Sequence, residues 1–277
     1  IFIGVITLLA WQSDDSYHAY IMAKNLVDGN GFVYNIGQRA TASSCPLFTL
    51  VVAAGYFVIR DMFFVSLLIN IVFSALAFRI LINDFARTKK QMIFCLIVLI
   101  GSVSFVSYTT SGLENSMLFF LGACFMKLFF SSERYSAKKM FILAVLVALI
   151  AMTRMDAVLI FVPMALFVYL TQRDAVSFGK AVLLGIAGLM PFVLWELFST
   201  FYYGFPFPNT AYAKLGTDIA LRDYLIRGAR YYLNAIICDP VILIVPLFVL
   251  VAAITVRKAQ YIVCMAGPVI YGMYLLY

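Results

Sequence analysis

A succession of apolar runs, each closed by a short polar loop, governs what this chain can become. Runs lie at 62–82, 92–109, 115–130, 140–152, 157–171, 180–201, 239–256 and 261–277, preceded by Ile1–Trp11 and Pro46–Ile59. With 64% hydrophobic residues, a mean hydropathy of +1.00 and only 12% charged residues, a water-soluble domain is excluded. The composition is that of a polytopic membrane protein. Ile1–Trp11 is too short to span, and 261–277 stops without a tail, so the expectation is a fragment cut inside its first and last spans. No basic region or small-residue cleavage site marks a signal peptide.

Charge placement orients the runs. The net charge of +7 sits in short loops, which points to membrane orientation and away from nucleic acid. Pro46–Ile59 is too short to cross comfortably and reads as an interfacial or re-entrant segment. With it left out, the loops carrying Arg87, Lys89 and Lys90, then Arg134, Lys138 and Lys139, then Arg173 and Lys180, then Arg257 and Lys258 all fall on the cytoplasmic side. Residues 12–61 then form one long outer region with two surface helices, the first from Ser16 to Asp28 and stopped by Asp28-Gly29-Asn30-Gly31. Residues 202–238 form another outer region. Met140–Leu170 would be roughly 46 Å as one helix at ~1.5 Å per residue. Thr153-Arg154-Met155-Asp156 interrupts it, so we read two short spans meeting at an outer turn; the alternative is one kinked helix with a buried Arg154–Asp156 pair. Cys95, Cys124 and Cys264 read as core residues, and Cys45 and Cys238, on the same side, read as free thiols, with a disulfide between them as the alternative.

Polar residues gather on the outer side in four clusters. The first is Ser13-Asp14-Asp15-Ser16-Tyr17-His18, directly after an apolar run. The second is Thr110-Ser111-Gly112-Leu113-Glu114-Asn115, and the third is Thr153-Arg154-Met155-Asp156. The fourth runs from Tyr202-Tyr203-Gly204 through Pro208-Asn209-Thr210-Ala211-Tyr212-Ala213-Lys214. A carboxylate can deprotonate an acceptor hydroxyl, and Arg and Lys can hold a phosphate. Asp14 or Asp15 as base, with Arg154 or Lys214 near a phosphate, fits sugar transfer from a lipid phosphate. Each piece also has a plainer use. Ser13, Asp14 and Asp15 suit a helix cap, and Glu114 suits the helix start at 115. Arg154 can pair with Asp156, Tyr202 and Tyr203 can anchor at the interface, Lys214 can snorkel, and His18 can be structural.

Taken in order, these clusters resemble the GT-C class of integral-membrane glycosyltransferases, and within it the terminal arabinofuranosyltransferases of the mycobacterial cell wall. Asp14-Asp15-Ser16-Tyr17, the stretch Asn25–Asn35, Ser43–Leu50, Ser111-Gly112-Leu113-Glu114, Thr153-Arg154-Met155-Asp156 and the Tyr202–Lys214 loop carry the likeness, which covers nearly all of 11–216. Met155 departs from it, since the group has Pro there. The resemblance implies an all-α polytopic transmembrane bundle of GT-C type, a single domain over 1–277 with surface helices in the first outer loop. It implies a polyprenyl-phosphate-linked sugar donor, a glycan or lipid acceptor outside a plasma membrane, and a catalytic carboxylate at Asp14 or Asp15. Arg154 and Lys214 are then candidates for the donor phosphate, and Tyr17, His18, Glu114, Asn209 and Tyr212 for substrate binding. The resemblance does not imply a metal uniformly; a divalent cation could bridge the phosphate to Asp14 or Asp15, although no His/Cys ligand set is present. A transporter or lipid flippase, or an inactive envelope-assembly scaffold, is the rival reading. The internal repeat common in transporters is absent from the sequence.

Overall fold

The computed structural model describes residues 1–131, 134–171, 176–208, 212, 220–256 and 258–276. Its described residues form helices and no strand. In chain order these are α1 (Phe2–Leu8), α2 (Ser16–Val27), α3 (Pro46–Ile59), α4 (Met62–Ile80, prolonged by a π turn over Leu81–Phe85), α5 (Lys89–Gly101), α6 (Val103–Tyr108) and α7 (Asn115–Phe130). There follow α8 (Ala137–Thr153), α9 (Val158–Thr171), α10 (Phe178–Tyr203), α11 (Leu221–Cys238), α12 (Val241–Val256) and α13 (Ala259–Leu276).

Among the described residues three helices are long and apolar enough to cross a membrane: Met62–Phe85, Phe178–Tyr203 and Ala259–Leu276. The pair Arg222–Cys238 and Val241–Val256 passes the same test together, but it bends by 102°. Pro46–Ile59, Asn115–Phe130 and Val158–Thr171 are apolar and shorter. The run 92–109 divides in two. Ser102 turns out of helical geometry and its hydroxyl accepts from Phe105 N at 3.1 Å, capping α6. Asp61 caps α4 in the same way, accepting from Phe64 N at 3.0 Å. Thr88 and Gln91 form a capping box at α5.

Side-chain pairs fix the direction of each helix. α4 and α7 run parallel, with Asn70 beside Ser116 toward one end and Asp84 bridged to Lys127 at 2.9 Å toward the other. α9 folds back along α8, because Tyr169 Oη near its end donates to the Met140 carbonyl at 2.8 Å. The chain leaves α8 with Arg154 extended (φ −157°), so 140–170 is a hairpin of two helices and not one kinked rod. The Arg154–Asp156 pair of the alternative reading is present as well, inside that turn. α13 runs against α9, with Cys264 on Met164 and Tyr271 reaching Asp156 at 3.1 Å. α12 runs against α5, with Phe94 and Phe248 rings 5.4 Å apart.

These directions gather Arg87, Lys89, Lys90, Arg134, Lys138, Lys139, Lys180 and Lys258 at one end of the bundle. The polar clusters lie at the opposite end. Arg173 and Arg257 fall outside the described residues. Both ends of α3 stay on the polar side. Its N-terminal Cys45 lies against Glu114, and Arg60 at its C-terminus bridges to Asp28 at 3.2 Å. Both of its ends therefore lie at the same end of the bundle. The main core lies between α2, α3, α4, α7, α8 and α9, centred on Phe48, Val52, Phe125, Phe129, Leu143 and Ile150. Outward faces remain apolar, with Leu183 and Ile186 on α10 and Leu247, Phe248 and Val251 on α12 well exposed, as lipid contact requires.

Candidate active site at the polar end of the bundle

The acidic stretch is stitched to the second polar cluster. Ser13 N donates to the Ser111 carbonyl at 2.8 Å, and Tyr20 Oη reaches the Gly112 carbonyl at 3.3 Å while pairing closely with Ser66 Oγ. Gly112 sits at φ +77°, and a side-chain carbon there would collide with the Tyr20 hydroxyl, so only glycine allows the approach. Asp14 and Asp15 are exposed at the start of α2. Asp15 occupies the cap position, yet its side chain caps nothing. Asp14 Oδ1 accepts from Asp15 N at 2.9 Å and from Ser13 Oγ at 3.3 Å. The helix start is held instead by main-chain carbonyls: Ser13 O accepts the Ser16 hydroxyl at 2.6 Å, and Asp14 O and Asp15 O accept from Tyr17 N and His18 N. Tyr17 is exposed beside Tyr20, and the His18 ring lies 5.4 Å from that of Tyr34.

The loop held by Ser13 leads straight to an ion cluster. Glu114 is 8% exposed and takes Arg154 Nη1 at 3.3 Å. Arg154 Nε reaches Asp156 at 3.0 Å, and Tyr271 Oη donates to the same carboxylate at 3.1 Å. Glu114 stands at the cap position of α7 without a capping bond, so its carboxylate serves Arg154 rather than the helix. Burial pushes the Glu114 carboxyl above the usual range, with Arg154 pulling the other way. Burial works against the Arg154 charge, but Asp156 and Glu114 outweigh it and raise the guanidinium further. The Cys45 thiol is pushed up to about 12 by burial and by the Glu114 charge. Arg154 keeps 40% of its side chain exposed, so a ligand can reach it.

The fourth cluster closes over the side. Gly204 ends α10 at φ +87°, and Ser199 Oγ on the last turns donates to the Phe205 carbonyl at 2.8 Å. Tyr203 Oη pairs with the Phe32 carbonyl, and Arg39 stacks over Tyr202 at 5.3 Å, tying this loop to the first outer region. Tyr212 is exposed and packs near Phe205. Asn209 and Lys214 lie outside the described residues. Beneath the loop a narrow cleft is walled by Ser43, Met155, Glu196, Ser199, Pro206 and Pro208. Both Glu196 oxygens are buried with no hydrogen-bond partner among the described residues. Asp14, Asp15, Glu114 and Arg154 do not line this cleft.

The structure thus brings Glu114 and Arg154 into direct contact and joins Asp14 and Asp15 to the same loop. Sequence reasoning missed Cys45, Tyr271 and Glu196. Glu196 left a signal, a single carboxylate inside the apolar run 180–201. Cys45 and Tyr271 left none. Among the described residues no group of three or more His, Cys, Asp or Glu gathers as a metal site. A cation at Asp14 and Asp15 would draw its remaining oxygens from a bound phosphate and water.

No family model and no solved structure matches the chain. The chain is 25% identical over 254 residues to the terminal beta-(1->2)-arabinofuranosyltransferase of Mycobacterium tuberculosis (strain ATCC 25618 / H37Rv), an alignment that covers 86% of this chain. The chain spans 40% of that protein's length. The likeness supports a distant glycosyltransferase relationship, and with the apolar helices it supports a membrane protein.

Proposed function

We propose that the protein is a GT-C-type glycosyltransferase of the plasma membrane. It moves a sugar from a polyprenyl-phosphate donor to a cell-envelope glycan or lipid acceptor, with the polar end of the bundle facing the periplasm or exterior. The observation that carries this reading is the exposed, uncapped Asp14-Asp15 pair hydrogen-bonded through Ser13 to the loop that presents Glu114 to Arg154. The distant likeness to an arabinofuranosyltransferase supports it.

In this mechanism Asp14 or Asp15 takes the proton of an acceptor hydroxyl. The hydroxyl oxygen bonds to the anomeric carbon as the carbon–oxygen bond to the lipid phosphate breaks, and the phosphate departs as an anion. Attack opposite the leaving group inverts the centre and needs one carboxylate, not the pair of a retaining hydrolase. Arg154 and Lys214 offset the charge growing on the phosphate. Arg154 does so while shared with two carboxylates, so it is positioned firmly and its charge is partly spent. Tyr17, His18, Glu114, Asn209 and Tyr212 are proposed to border the substrates. A divalent cation between Asp14 or Asp15 and the phosphate is a compatible addition, and chelation tests it.

The decisive experiment follows sugar transfer from polyprenyl-phosphate sugars, arabinofuranose among them, in liposomes. Asp14→Asn and Asp15→Asn are made separately. One of them should lower turnover by roughly 10²–10⁴-fold, the usual share of a general base, with donor binding little changed. Near-native turnover in both folded variants would return the pair to a structural role. Absence of transfer in the unaltered protein from every donor offered would favour a scaffold or a transporter.

A further inference from the structure

Glu196 lies near the polar end of α10, inside an otherwise apolar helix, and neither of its buried oxygens meets a donor among the described residues. Its neighbours in the cleft wall are already engaged. Ser43 Oγ pairs with Thr49 Oγ1 at 2.8 Å, Thr41 Oγ1 donates to the Ser43 carbonyl at 3.2 Å, and Ser199 Oγ donates to the Phe205 carbonyl at 2.8 Å. Glu196 and the exposed Ser44 are therefore the groups left to act on whatever enters, and of the two Glu196 is the buried one. A buried carboxyl gains from a hydrogen-bond donor brought to it, so a hydroxyl entering the cleft would find a partner there. Among the described residues no Lys, Arg or His lines the cleft. The cleft is about 20 Å³, room for one water or one hydroxyl group. Beside it opens a groove of about 340 Å³ lined by Leu26, Leu50, Leu194 and Phe198, and the two share Met152 and Trp195. A small polar point thus sits next to a broad apolar surface that includes an indole ring. Sugars suit that pairing, since their C–H faces lie on aromatic rings while their hydroxyls need directed partners.

We propose that Glu196 is a binding residue for a sugar hydroxyl, set apart from the phosphate end at Arg154. This rests on the sugar-transfer reading and adds to it a residue that selects the sugar. Two of the polar clusters wall the cleft, through Met155 and Pro206, together with Ser43 of the Ser43–Leu50 stretch, so a hydroxyl seated there would register all three at once.

Trp195 reports on the site directly. The chain holds two Trp, and Trp11→Phe leaves Trp195 as the sole indole. In that background, reconstituted in nanodiscs, Trp195 emission is titrated with butyl glycosides of arabinofuranose, glucose and mannose, and with butyl phosphate. At least one glycoside should shift the emission saturably. Glu196→Ala should weaken that affinity at least tenfold, and Glu196→Gln, which keeps a hydrogen-bonding group of the same shape, should stay within about threefold. Equal affinity in Glu196→Ala, no response to any glycoside, or tighter binding of butyl phosphate would overturn the proposal. Displacement of the glycoside by a polyprenyl-phosphate sugar assigns the hydroxyl to the donor; failure to displace it assigns it to the acceptor. The titration is repeated with Asp14→Asn and Asp15→Asn. Glycoside binding that survives there while transfer is lost supports both readings. Transfer that persists there while Glu196→Ala still loses the glycoside overturns the base and leaves the hydroxyl site standing.

Discussion

At the scale of single residues, Glu114 answers to two opposed forces. Burial raises its carboxyl, and Arg154 lowers it by a smaller amount. A carboxyl held above its unfolded value stabilises the fold most when protonated. That contribution is complete below the ordinary glutamate value of 4.5 and is lost as pH rises through the folded value. The thermal midpoint in detergent should therefore decline as pH is raised from 4.5, and Glu114→Gln should flatten the decline. Arg154→Met should steepen it and lower the midpoint at neutral pH by at least about 3 °C, the shift expected from about 1 kcal/mol in a chain of this size. A flat profile in the unaltered protein would contradict this account. The Arg154–Asp156 pair could be read from the sequence, because its members are near neighbours in one turn. The Glu114–Arg154 contact could not, because it depends on how α7 and α8 pack. Glu114 therefore looked like a helix cap until the fold supplied its partner.

At the scale of elements, close helix contact depends on glycine. A side-chain carbon on Gly267 would run into the Ile160 carbonyl of α9, main-chain atoms that cannot rotate away. Gly267→Ala should push α13 from α9, loosen the Tyr271–Asp156 bond and lower the thermal midpoint. Gly179, with open space around it in the first turn of α10, is the control: Gly179→Ala should be neutral or stabilise by up to about 1 kcal/mol. Equal effects at the two positions would count against packing as the cause. Helix boundaries were largely legible, since apolar runs bounded by Ser, Thr, Asp and Gly mark them. Two features escaped. Ser102 hides inside an apolar run, and only its side-chain bond to the α6 backbone reveals the break. α11 reads as loop because Arg222, Asp223, Arg227 and Arg230 interrupt its apolar residues, although on a helix they alternate with Leu225, Ile226 and Leu233.

At the scale of the whole molecule, the opposition between a basic end and a polar-motif end was legible from Lys and Arg placement alone, because alternating runs force it. The joining of distant motifs was legible only as an expectation. Orientation is tested with membrane-impermeant maleimide on cells carrying a Cys238→Ser background. Ile36→Cys, exposed near the polar end, should label from outside, and Lys89→Cys only after permeabilisation. The opposite pattern would reverse the orientation. Helix length carries one further consequence. α7, α8 and α9 have 16, 17 and 14 residues. At ~1.5 Å per residue they reach about 24, 26 and 21 Å, short of a hydrocarbon layer of about 30 Å. α10, with 26 residues, exceeds it. Leu166 and Leu170 bring lipid directly against α9, the shortest of the three. A bilayer that meets so short a wall thins beside it, and its surface dips. Glu114 and Arg154 then lie in a shallow basin below the general level of the headgroups, where water sinks toward them, and under the proposed function a sugar carried on a lipid would arrive by drifting sideways, its tail never leaving the oil.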